Sequence, residues 1–423
     1  MKILVIGQGA REHALVHSLL KDDGVEVFCA PGNPGIASIA QVFPVNSLDA
    51  QAVLELARSL AVDLVVIGPE APLVAGVADV LRANDFLVFG PSQAAAQIEG
   101  SKAFAKEVMV AAGVPTAESH YCTTAEQVST ALDKFGAPYV VKDDGLAAGK
   151  GVVVTNERTE AFDHAMACIN TPKGGAVVIE EYLDGPEVSL FGITDGQTIV
   201  PLSPAQDFKR VFDNDEGPNT GGMGAYTPLP WAPSDLVAQV QQQVLQPTIN
   251  EMAKRGTPFV GLLFAGLALT SRGVKVIEFN ARFGDPETQV VLARLKSPLS
   301  QLLYCAAAGT LSDFPPLQWS NETAVTIVMA AEGYPEAPVT GAAISGIGAA
   351  ENLGARVFHA GTKQDDDQIV VNGGRVLSVT ATGVDLHEAR AQAYAGVTQI
   401  HFDGEHHRSD IALRAANGEV VVP

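Results

Sequence analysis

The sequence has 423 residues, of which 47% are hydrophobic and 18% are charged, and it carries a formal net charge of −21. These values exclude a disordered chain and predict a folded protein of roughly two to four domains. The acidic balance also argues against a nucleic-acid partner, which would need clustered lysine and arginine.

Cysteine usage and hydropathy indicate a cytoplasmic protein. The four cysteines are scattered without a CxxC pair, so we expect reduced thiols rather than a zinc site or a disulfide framework. The apolar run in the N-terminal MKILVIGQG is too short for a signal peptide. Nowhere do about 18 apolar residues follow one another, as a membrane span would need, so we expect no membrane partner.

Short apolar runs alternate with helical patterns over the first hundred residues. The runs are Lys2–Ile6, Val25–Cys29, Asp63–Ile67 and Phe86–Phe89. This alternation predicts a parallel sheet with right-handed crossovers. The turns that follow the strands would gather at the carboxyl ends, where open α/β sheets bind ligands, so we expect a substrate there.

The first of these turns begins a GxGxxG pattern but does not complete it. Gly7 and Gly9 are present, whereas Glu12 occupies the third glycine position, so we do not expect NAD. Arg11 at the mouth of a predicted helix, Ala10–Leu20, would add its charge to free backbone N–H groups, which suits one phosphate. A structural tight turn with a surface arginine is an equally good interpretation of these residues alone.

A glycine-rich segment, DDGLAAGK, lies between the predicted strands Pro138–Lys142 and Gly151–Thr155. It is not a Walker A loop, because Lys150 precedes a glycine and a strand rather than Ser or Thr and a helix. We interpret it as a hairpin tip whose backbone N–H groups fold over phosphates, with Lys142 as a fixed charge. Lys102, at the start of a predicted helix, is a second candidate phosphate ligand.

Acidic residues follow the next predicted strand, Val177–Glu181. Adjacent carboxylates on a strand point to opposite faces, so at most one of Glu180 and Glu181 looks into a cleft. Backbone groups there could contact an adenine edge, and Glu187 could accept hydrogen bonds from ribose hydroxyls. A solvated acidic turn is the alternative interpretation.

Polar and glycine-rich residues return at Ala205–Gly224. AQDFKR brings Asp207 and Lys209 together, and GPNTGGMG follows at Gly217–Gly224. Glycines this dense cost backbone entropy, so close approach to a ligand is the better account of them.

The segment VKVIEFNARFGDP at Val274–Pro286 is the main candidate for a metal site. Glu278 and Asn280 are two residues apart on a predicted strand, so their oxygens share a face roughly 6–7 Å apart. Both can reach one Mg²⁺ or Mn²⁺ ion that bridges phosphates. The glycine-rich loop offers a metal no hydroxyl ligand, so the two features need each other. A half-buried edge strand with solvated polar residues is the alternative.

The last hundred residues predict short strands and little helix. We predict a hairpin turn at Asn372–Gly373 and a helix over Leu386–Ala395. We expect this part of the chain to cover the cleft. The predicted strands are Ala324–Ala330, Arg356–His359, Gln368–Val371 and Arg375–Thr380.

Taken together, six ordered motifs resemble the phosphoribosylamine–glycine ligase family over essentially the whole chain. The motifs lie at Gly7–Leu15, Ala30–Gly35, Gly68–Gly76, Lys142–Gly151, Gly217–Tyr226 and Glu278–Gln289. The resemblance implies a multidomain α/β and α+β protein with an ATP-grasp core. Its expected parts are a Rossmann-like N-terminal sheet (1–103), a mobile lid (104–190), a core with the metal site (191–322) and a small β-rich C-terminal domain (323–423).

The resemblance also implies a cytoplasmic, monomeric ligase of purine biosynthesis. ATP, with Mg²⁺ or Mn²⁺, would phosphorylate the carboxylate of glycine. The amine of 5-phosphoribosylamine would then attack the glycyl phosphate, giving glycinamide ribonucleotide, ADP and phosphate.

Site roles follow from matching the motifs residue by residue. The residues expected to bind ATP are Lys102, Lys142, Gly145, Gly149, Lys150, Gly151, Glu180, Glu181 and Glu187. The residues expected to bind the other substrates are Gly9, Arg11, Asn33, Glu70, Asn219, Gly221 and Gly222. The expected metal ligands are Glu278 and Asn280, and the expected catalytic residues are Asp207, Lys209, Arg282 and Asp285.

The chain departs from the family pattern at three positions. Asp144 replaces the usual alanine, Phe208 the usual histidine and Pro186 the usual glutamate. We expect Asp144 to weaken nucleotide affinity, because it adds negative charge near the phosphates. Two other hypotheses about the function stay open. The chain could be an ATP-grasp ligase that phosphorylates bicarbonate, or a catalytically silent nucleotide-binding protein. An NAD oxidoreductase is disfavoured by Glu12.

Overall fold

A computed structural model of the chain describes residues 1–145, 151–171 and 175–423. Two residues expected to bind ATP, Gly149 and Lys150, lie outside this range. Within the described part, no helix is both long and apolar enough to cross a membrane.

The N-terminal part is a parallel five-stranded sheet of order β3-β2-β1-β4-β5, which confirms the predicted class of fold. The alternating apolar runs bury both faces of the sheet against helices, as parallel sheets require. The strands are β1 (Lys2–Gly7), β2 (Glu26–Pro31), β3 (Gln41–Val42), β4 (Leu64–Ile67) and β5 (Val88–Phe89). The helices are α1 (Ala10–Leu19), α2 (Pro34–Ala37), α3 (Ala50–Leu60), α4 (Glu70–Val74), α5 (Val77–Arg82) and α6 (Gln93–Gly100).

The lid is an antiparallel four-stranded sheet of order β6-β9-β7-β8 with its own small hydrophobic core. Helix α7 (Lys102–Ala112) leads into it. The lid strands are β6 (Ser119–Cys122), β7 (Tyr139–Asp143), β8 (Val152–Thr155) and β9 (Val177–Glu180), and its helices are α8 (Ala125–Phe135) and α9 (Arg158–Ile169). Strands β7 and β8 pair in the predicted hairpin.

The core sheet has the order β11-β10-β16-β17 and places β17 at its edge. The strands of this segment are β10 (Glu187–Asp195), β11 (Ile199–Pro201), β12 (Gln206–Asp207), β13 (Arg210–Phe212), β14 (Glu216–Asn219), β15 (Gly224–Thr227), β16 (Val260–Thr270) and β17 (Gly273–Asn280). Its helices are α10 (Leu236–Val240), which continues through a π-helical turn into α11 (Gln246–Lys254), α12 (Glu287–Arg294) and α13 (Leu299–Ala308).

The C-terminal sheet has the order β12-β15-β18-β22-β19, so it draws strands from both sides of residue 323. Its shared strands bring the segment around Gly217–Gly224 against the C-terminal residues. The remaining strands are β18 (Thr323–Ala330), β19 (Arg356–His359), β20 (Thr362–Asp365), β21 (Gln368–Val371) and β22 (Arg375–Gly383). The remaining helices are α14 (Ile347–Asn352), α15 (Leu386–Val397) and α16 (Leu413–Ala416).

The predicted hairpin turn at Asn372–Gly373 is wrong. Strand β21 pairs with β20, whereas β22 pairs with β18 and β19. The tight turn lies between Asp365 and Gln368, where Asp366 has a φ of 49°. The Asn-Gly pair serves a close crossing instead, because a Cβ at Gly361 would lie 2.7 Å from the Cα of Gly373.

Candidate active site

The edge strand β17 presents Glu278 and Asn280 toward the lid side of the core. Glu278 pairs with Gly266 and Asn280 with Phe264, so the two residues keep the predicted two-residue spacing. The register shifts just before them, between Gly266 and Leu267. This irregularity leaves the carbonyl of Ile277 free to accept a 2.9 Å hydrogen bond from Lys142 Nζ.

Four cations, each from a different segment of the chain, act on Glu278. Burial alone would raise the pKa of its carboxyl, but the charges of Lys209, Lys142, Lys102 and Arg282 lower the pKa below its usual value. Glu278 is therefore ionised at neutral pH. Because these lysines come from the lid side and the core, the charge pattern marks a cleft between them.

Asp207 and Glu287 form an acidic pair near this position. Burial and the charges of Glu287, Glu187 and Glu278 raise the pKa of Asp207 to about 7, against the opposing effect of Lys209. Burial also raises the pKa of Glu287, which accepts a 2.9 Å hydrogen bond from Ser189 Oγ. A carboxyl such as Asp207, whose pKa lies near neutral pH, is suited to exchanging protons there.

Lys209 is held by the same acidic surroundings. Burial alone would lower its pKa, but Glu187, Asp207 and Glu278 raise the pKa well above its usual value. Its Nζ lies 2.6 Å from Glu187 Oε2. Lys209 is therefore a permanent cation in this cleft.

A buried ion triad ties the lid to helix α7 and to the core. Glu180 lies between Lys142 Nζ at 2.9 Å and Lys106 Nζ at 3.0 Å. All three side chains are at most 10% exposed. Glu181 points the other way and pairs with Arg272 at 2.8 Å, so one of the two carboxylates faces the interior, as β geometry requires.

The start of α7 meets the beginning of the glycine-rich loop. Lys102 Nζ donates to the carbonyl of Gly145 at 3.0 Å. Asp144 Oδ1 accepts from Ser101 Oγ at 3.1 Å and from the Ala103 N–H at 3.2 Å, so it caps the helix. Gly151 closes the described part of the loop, with its carbonyl 2.7 Å from the Asp143 N–H.

Glu12 explains the broken dinucleotide pattern. Its carboxylate accepts from the Gly9 N–H at 2.6 Å and from Arg11 Nε at 2.5 Å. Any Cβ at Gly7 or Gly68 would lie within 2.4 Å of its atoms. The carboxylate thus fills the space between the turns that follow β1 and β4, so Glu12 requires glycine at Gly7 and Gly68.

The substrate residues predicted on the N-terminal sheet are engaged in protein contacts. Arg11 is buried and donates to the carbonyl of Phe283 at 3.0 Å. Asn33 Nδ2 donates to the carbonyls of Gln8 at 2.8 Å and His359 at 2.7 Å, which joins the N-terminal sheet to the C-terminal domain. Their roles in binding substrate stay predictions.

Arg282 links the core to two acidic residues of the N-terminal part. Its Nη2 lies 3.0 Å from Glu99 Oε1, and its Nε lies 3.4 Å from Glu70 Oε2. That Nε is buried and forms no hydrogen bond with any residue the structure describes. A buried donor that makes no hydrogen bond is costly, so a bound anion would be a suitable acceptor for it.

Asp285 lies where the N-terminal sheet, the core and the C-terminal domain meet. Gln289 Nε2 donates to its carboxylate at 2.8 Å, and Arg375 Nη2 lies 3.5 Å away. Burial alone would raise its pKa, but Arg375 and Arg11 lower the pKa below its usual value. Asp285 is therefore a fixed negative charge beside the Gly9 turn.

The glycine-rich segment Gly217–Gly224 packs closely on protein atoms. Asn219 pairs with Arg210 in the β13–β14 ribbon. Gly221 and Gly222 contact Arg375 and Pro286, and Gly222 has a φ of 112°. Two of these glycines therefore make room for protein atoms, and the predicted close approach of a ligand to this segment stays a prediction.

A metal ion would find a limited set of ligands here. Among the described residues, no group of three or more His, Cys, Asp or Glu side chains could hold one. Glu278 supplies an ionised carboxylate, and Asn280 Oδ1 has only a long 3.5 Å contact with Arg282 Nη2. This donor set fits a hard cation that completes its shell with phosphate oxygens and water.

Several neighbours of the site carried no signal in the sequence. Glu99 and Lys106 lie within ordinary helix patterns and acquire partners only through folding. Arg375 follows a Gly-Gly pair at the start of a strand, which marks a close contact without naming its partner. Glu287 follows the FGDP turn, and its position two residues after Asp285 is the only sequence feature that indicates a place near the site.

Three family models match successive parts of the chain. They are the N domain (residues 1–99), the ATP-grasp (A) domain (residues 100–288) and the C domain (residues 324–414) of phosphoribosylglycinamide synthetase. These matches agree with the ATP-grasp fold and the β-rich C-terminal part.

The chain is also similar over its full length to bacterial proteins named phosphoribosylamine–glycine ligase. It is 62% identical to the phosphoribosylamine–glycine ligase of Streptomyces coelicolor, covering 98% of this chain and 100% of that protein. It is 54% identical to the same enzyme of Mycobacterium tuberculosis, with 100% of each chain covered.

Solved structures show the same architecture. The phosphoribosylamine–glycine ligase of Thermotoga maritima superposes with a TM-score of 0.85 at 33% identity, covering 97% of this chain and 100% of that one. A biotin carboxylase domain of Hydrogenobacter thermophilus 2-oxoglutarate carboxylase gives a TM-score of 0.73 at 17% identity, covering 96% and 91%. The second likeness concerns the fold alone.

Proposed function

Because the chain belongs to the phosphoribosylglycinamide synthetase family, we propose that its charged cleft joins glycine to 5-phosphoribosylamine while ATP is converted to ADP and phosphate. The product is glycinamide ribonucleotide, an intermediate of purine biosynthesis. The observation that carries the assignment of the site is the convergence of Lys102, Lys142, Lys209 and Arg282 on the ionised Glu278.

The chemistry requires activation of a poor electrophile. A carboxylate resists attack by an amine, so one of its oxygens must first take the γ-phosphoryl group of ATP. Such a transfer depends mostly on positioning and on neutralising charge. Lys102 and Lys142 would neutralise the phosphates. Glu278 and Asn280 would hold Mg²⁺ or Mn²⁺, which would supply further neutralisation of the phosphate charge.

Arg282 is suited to orient the carboxylate of glycine. Its buried Nε lacks a hydrogen-bond acceptor among the described residues. A substrate carboxylate would satisfy this donor and keep its second oxygen free for the transfer. Glu99 and Glu70 fix the guanidinium in place.

Asp207 is the proposed base for the second half of the reaction. The amine of 5-phosphoribosylamine attacks the carbonyl carbon of glycyl phosphate, phosphate leaves, and the nitrogen must lose a proton. A carboxylate with a pKa of about 7 can accept that proton at neutral pH. Lys209 stays charged beside it and would stabilise the leaving phosphate.

The turns of the N-terminal sheet would receive 5-phosphoribosylamine. Gly9, Asn33 and Glu70 lie at the carboxyl ends of parallel strands, where this class of sheet binds ligands. We further propose that the protein acts as a monomer in the cytoplasm. Analytical ultracentrifugation of the purified chain would test the oligomeric state.

A substrate-omission assay tests the function. ADP release is measured with ATP and Mg²⁺, adding glycine and freshly generated phosphoribosylamine separately and together, and the product is identified by mass spectrometry. Ligation is expected only with both substrates. Release that depends on bicarbonate and ignores glycine would favour another acyl acceptor, and no release under any condition would favour a silent nucleotide-binding protein.

A further inference from the structure

Arg375 joins the two loops of the cleft that carry predicted site residues. It begins β22 in the C-terminal domain. One of its nitrogens, Nη1, donates to the carbonyl of Gly221 and to the carbonyl of Asp285, each at 2.6 Å. Its other terminal nitrogen, Nη2, lies 3.5 Å from the Asp285 carboxylate.

Arg375 connects two backbone carbonyls, those of Gly221 and Asp285, that cannot form a hydrogen bond with each other. Both carbonyls are hydrogen-bond acceptors only, so the glycine-rich segment and the FGDP turn have no direct backbone bond through them. A planar guanidinium presents several donors in a fixed fork and can hold both at once. The guanidinium is therefore the bridge between the two loops at this point.

The surroundings leave the bridge little freedom. Tyr334 Oη accepts a 3.0 Å hydrogen bond from the Gly221 N–H. A Cβ at Gly222 would lie 2.5 Å from Pro286 Cδ, and one at Gly374 would lie 2.2 Å from the Tyr334 ring. The C-terminal residues thus fit the two loops closely enough to fix their separation.

Asp285 connects this bridge to the substrate side of the cleft. Its Oδ2 lies 3.6 Å from the position a Cβ would take at Gly9, in the turn proposed to receive 5-phosphoribosylamine. A displaced Asp285 would therefore disturb the amine substrate before it disturbs the phosphates of ATP.

We propose that Arg375 is a positioning residue for the acyl-transfer half of the reaction, through which the C-terminal domain holds Gly221, Gly222 and Asp285 around the amine and the acyl phosphate. This inference rests on the proposed function. When the bridge is absent, the loops separate and water reaches the acyl phosphate. A water oxygen then attacks the carbonyl carbon, the bond to phosphate breaks, a proton passes to the solvent, and glycine and phosphate form without ligation.

The test compares ADP with glycinamide ribonucleotide formed by the wild type and by Arg375→Ala and Arg375→Lys variants. The wild type should form equal amounts of both. In Arg375→Ala we expect several-fold more ADP than product and a KM for phosphoribosylamine that rises about 10- to 100-fold, since small misplacements of reacting groups have effects of this size. The KM for ATP should change by less than about threefold. For Arg375→Lys we expect an ADP-to-product ratio and a KM for phosphoribosylamine between those of the wild type and Arg375→Ala. The lysine ammonium can reach the carbonyls but lacks the forked set of donors of a guanidinium.

Arg390→Ala is the matched control. Arg390 also bridges two backbone carbonyls, those of Ile411 and Ser409, but it does so within the C-terminal domain. Its loss should lower the unfolding temperature without changing the ratio of ADP to product. The control separates a general loss of stability from a loss of positioning.

Equal amounts of ADP and product in Arg375→Ala, with an unchanged KM for phosphoribosylamine, would overturn the inference even if the variant were less stable. If Arg375→Ala does not fold, the test uses Arg375→Lys and Tyr334→Phe instead. A wild-type ratio of ADP to glycinamide ribonucleotide in both variants would then overturn the inference. Inactivity of the wild type with both substrates would instead contradict the proposed function.

Discussion

Glu278 is the residue on which the assignment of the site depends. It is a half-buried carboxylate that stays ionised because four cations act on it. Three of them, Lys102, Lys142 and Lys209, come from distant parts of the chain, and Arg282 comes from the turn that follows β17. An ion cluster of this kind is expensive to assemble for stability alone, since each charge loses its hydration. Its arrangement is better explained by a ligand that carries both phosphates and a metal ion.

Substituting Glu278 should separate binding of the metal from the fold. In Glu278→Gln we expect kcat to fall by about 100-fold or more, because a developing charge loses its stabilisation. Binding of Mn²⁺ in the presence of an ATP analogue, followed by electron paramagnetic resonance, should weaken in parallel. Glu251→Gln is the control, because Glu251 pairs with Arg255 on α11. Unchanged Mn²⁺ binding in Glu278→Gln would remove this residue from the metal site.

Asp207 should set the pH dependence of the reaction. A base must be deprotonated to act, so kcat should rise with pH and level off above about 7, the pKa to which burial and neighbouring carboxylates raise this group. Asp207→Asn should lower kcat by roughly 100-fold and abolish that limb of the profile. The control is Asp49→Asn, because Asp49 caps helix α3 away from the cleft. This variant should keep the rise of kcat with pH. An Asp207→Asn profile that still rises near pH 7 would assign the limb to another group.

At the scale of elements, alternation and turn composition were sufficient to predict the N-terminal sheet and the β7–β8 hairpin. These two signals fail where the same short pattern is compatible with two different local structures. Asn-Gly favours a hairpin turn, but here it lets the chain pass Gly361, a contact between segments that no local pattern reveals. The partners of Glu180 and Arg375 could not be predicted for the same reason: each pair forms only after distant elements pack.

The glycine-rich segment offers a test of this close packing. Gly222 has a φ of 112°, and a Cβ there would lie 2.5 Å from Pro286 Cδ. Gly222→Ala should therefore lower the unfolding temperature and reduce ligation by at least about tenfold. Gly341→Ala also places a side chain at a clearly positive φ, 99°, but nothing lies within 4 Å of its Cβ position. Equal effects of the two substitutions would show that strain alone matters and that the contact with Pro286 does not.

At the scale of the whole molecule, the C-terminal domain is attached to the N-terminal sheet by buried histidines. His13 Nδ1 accepts from the His359 N–H at 2.9 Å, and the Asn33 side chain bonds to the His359 carbonyl. Burial lowers the pKa of His13 to about 3 and that of His359 to about 4. Both rings are therefore neutral in the folded protein throughout the physiological range.

This interface should make the fold sensitive to acid. Between pH 6.5 and about 4 the unfolded chain binds protons at these rings and the folded chain does not, so the free energy of unfolding falls as the pH falls. His359 alone contributes up to roughly 3 kcal/mol to this fall. The free energy of unfolding, measured with urea, should differ less between pH 7 and pH 5 for His359→Asn than for the wild type. The exposed His387→Asn is the control, and an unchanged difference in His359→Asn would contradict the account.

The central claim is that the cleft phosphorylates glycine before the amine attacks. The most direct measurement uses glycine with both carboxylate oxygens replaced by ¹⁸O, with ATP, Mg²⁺ and phosphoribosylamine, and analyses the released phosphate by mass spectrometry. The account predicts that each phosphate carries one ¹⁸O atom, because the oxygen that receives the phosphoryl group leaves with it. Phosphate without ¹⁸O, formed together with the ligated product, would contradict it.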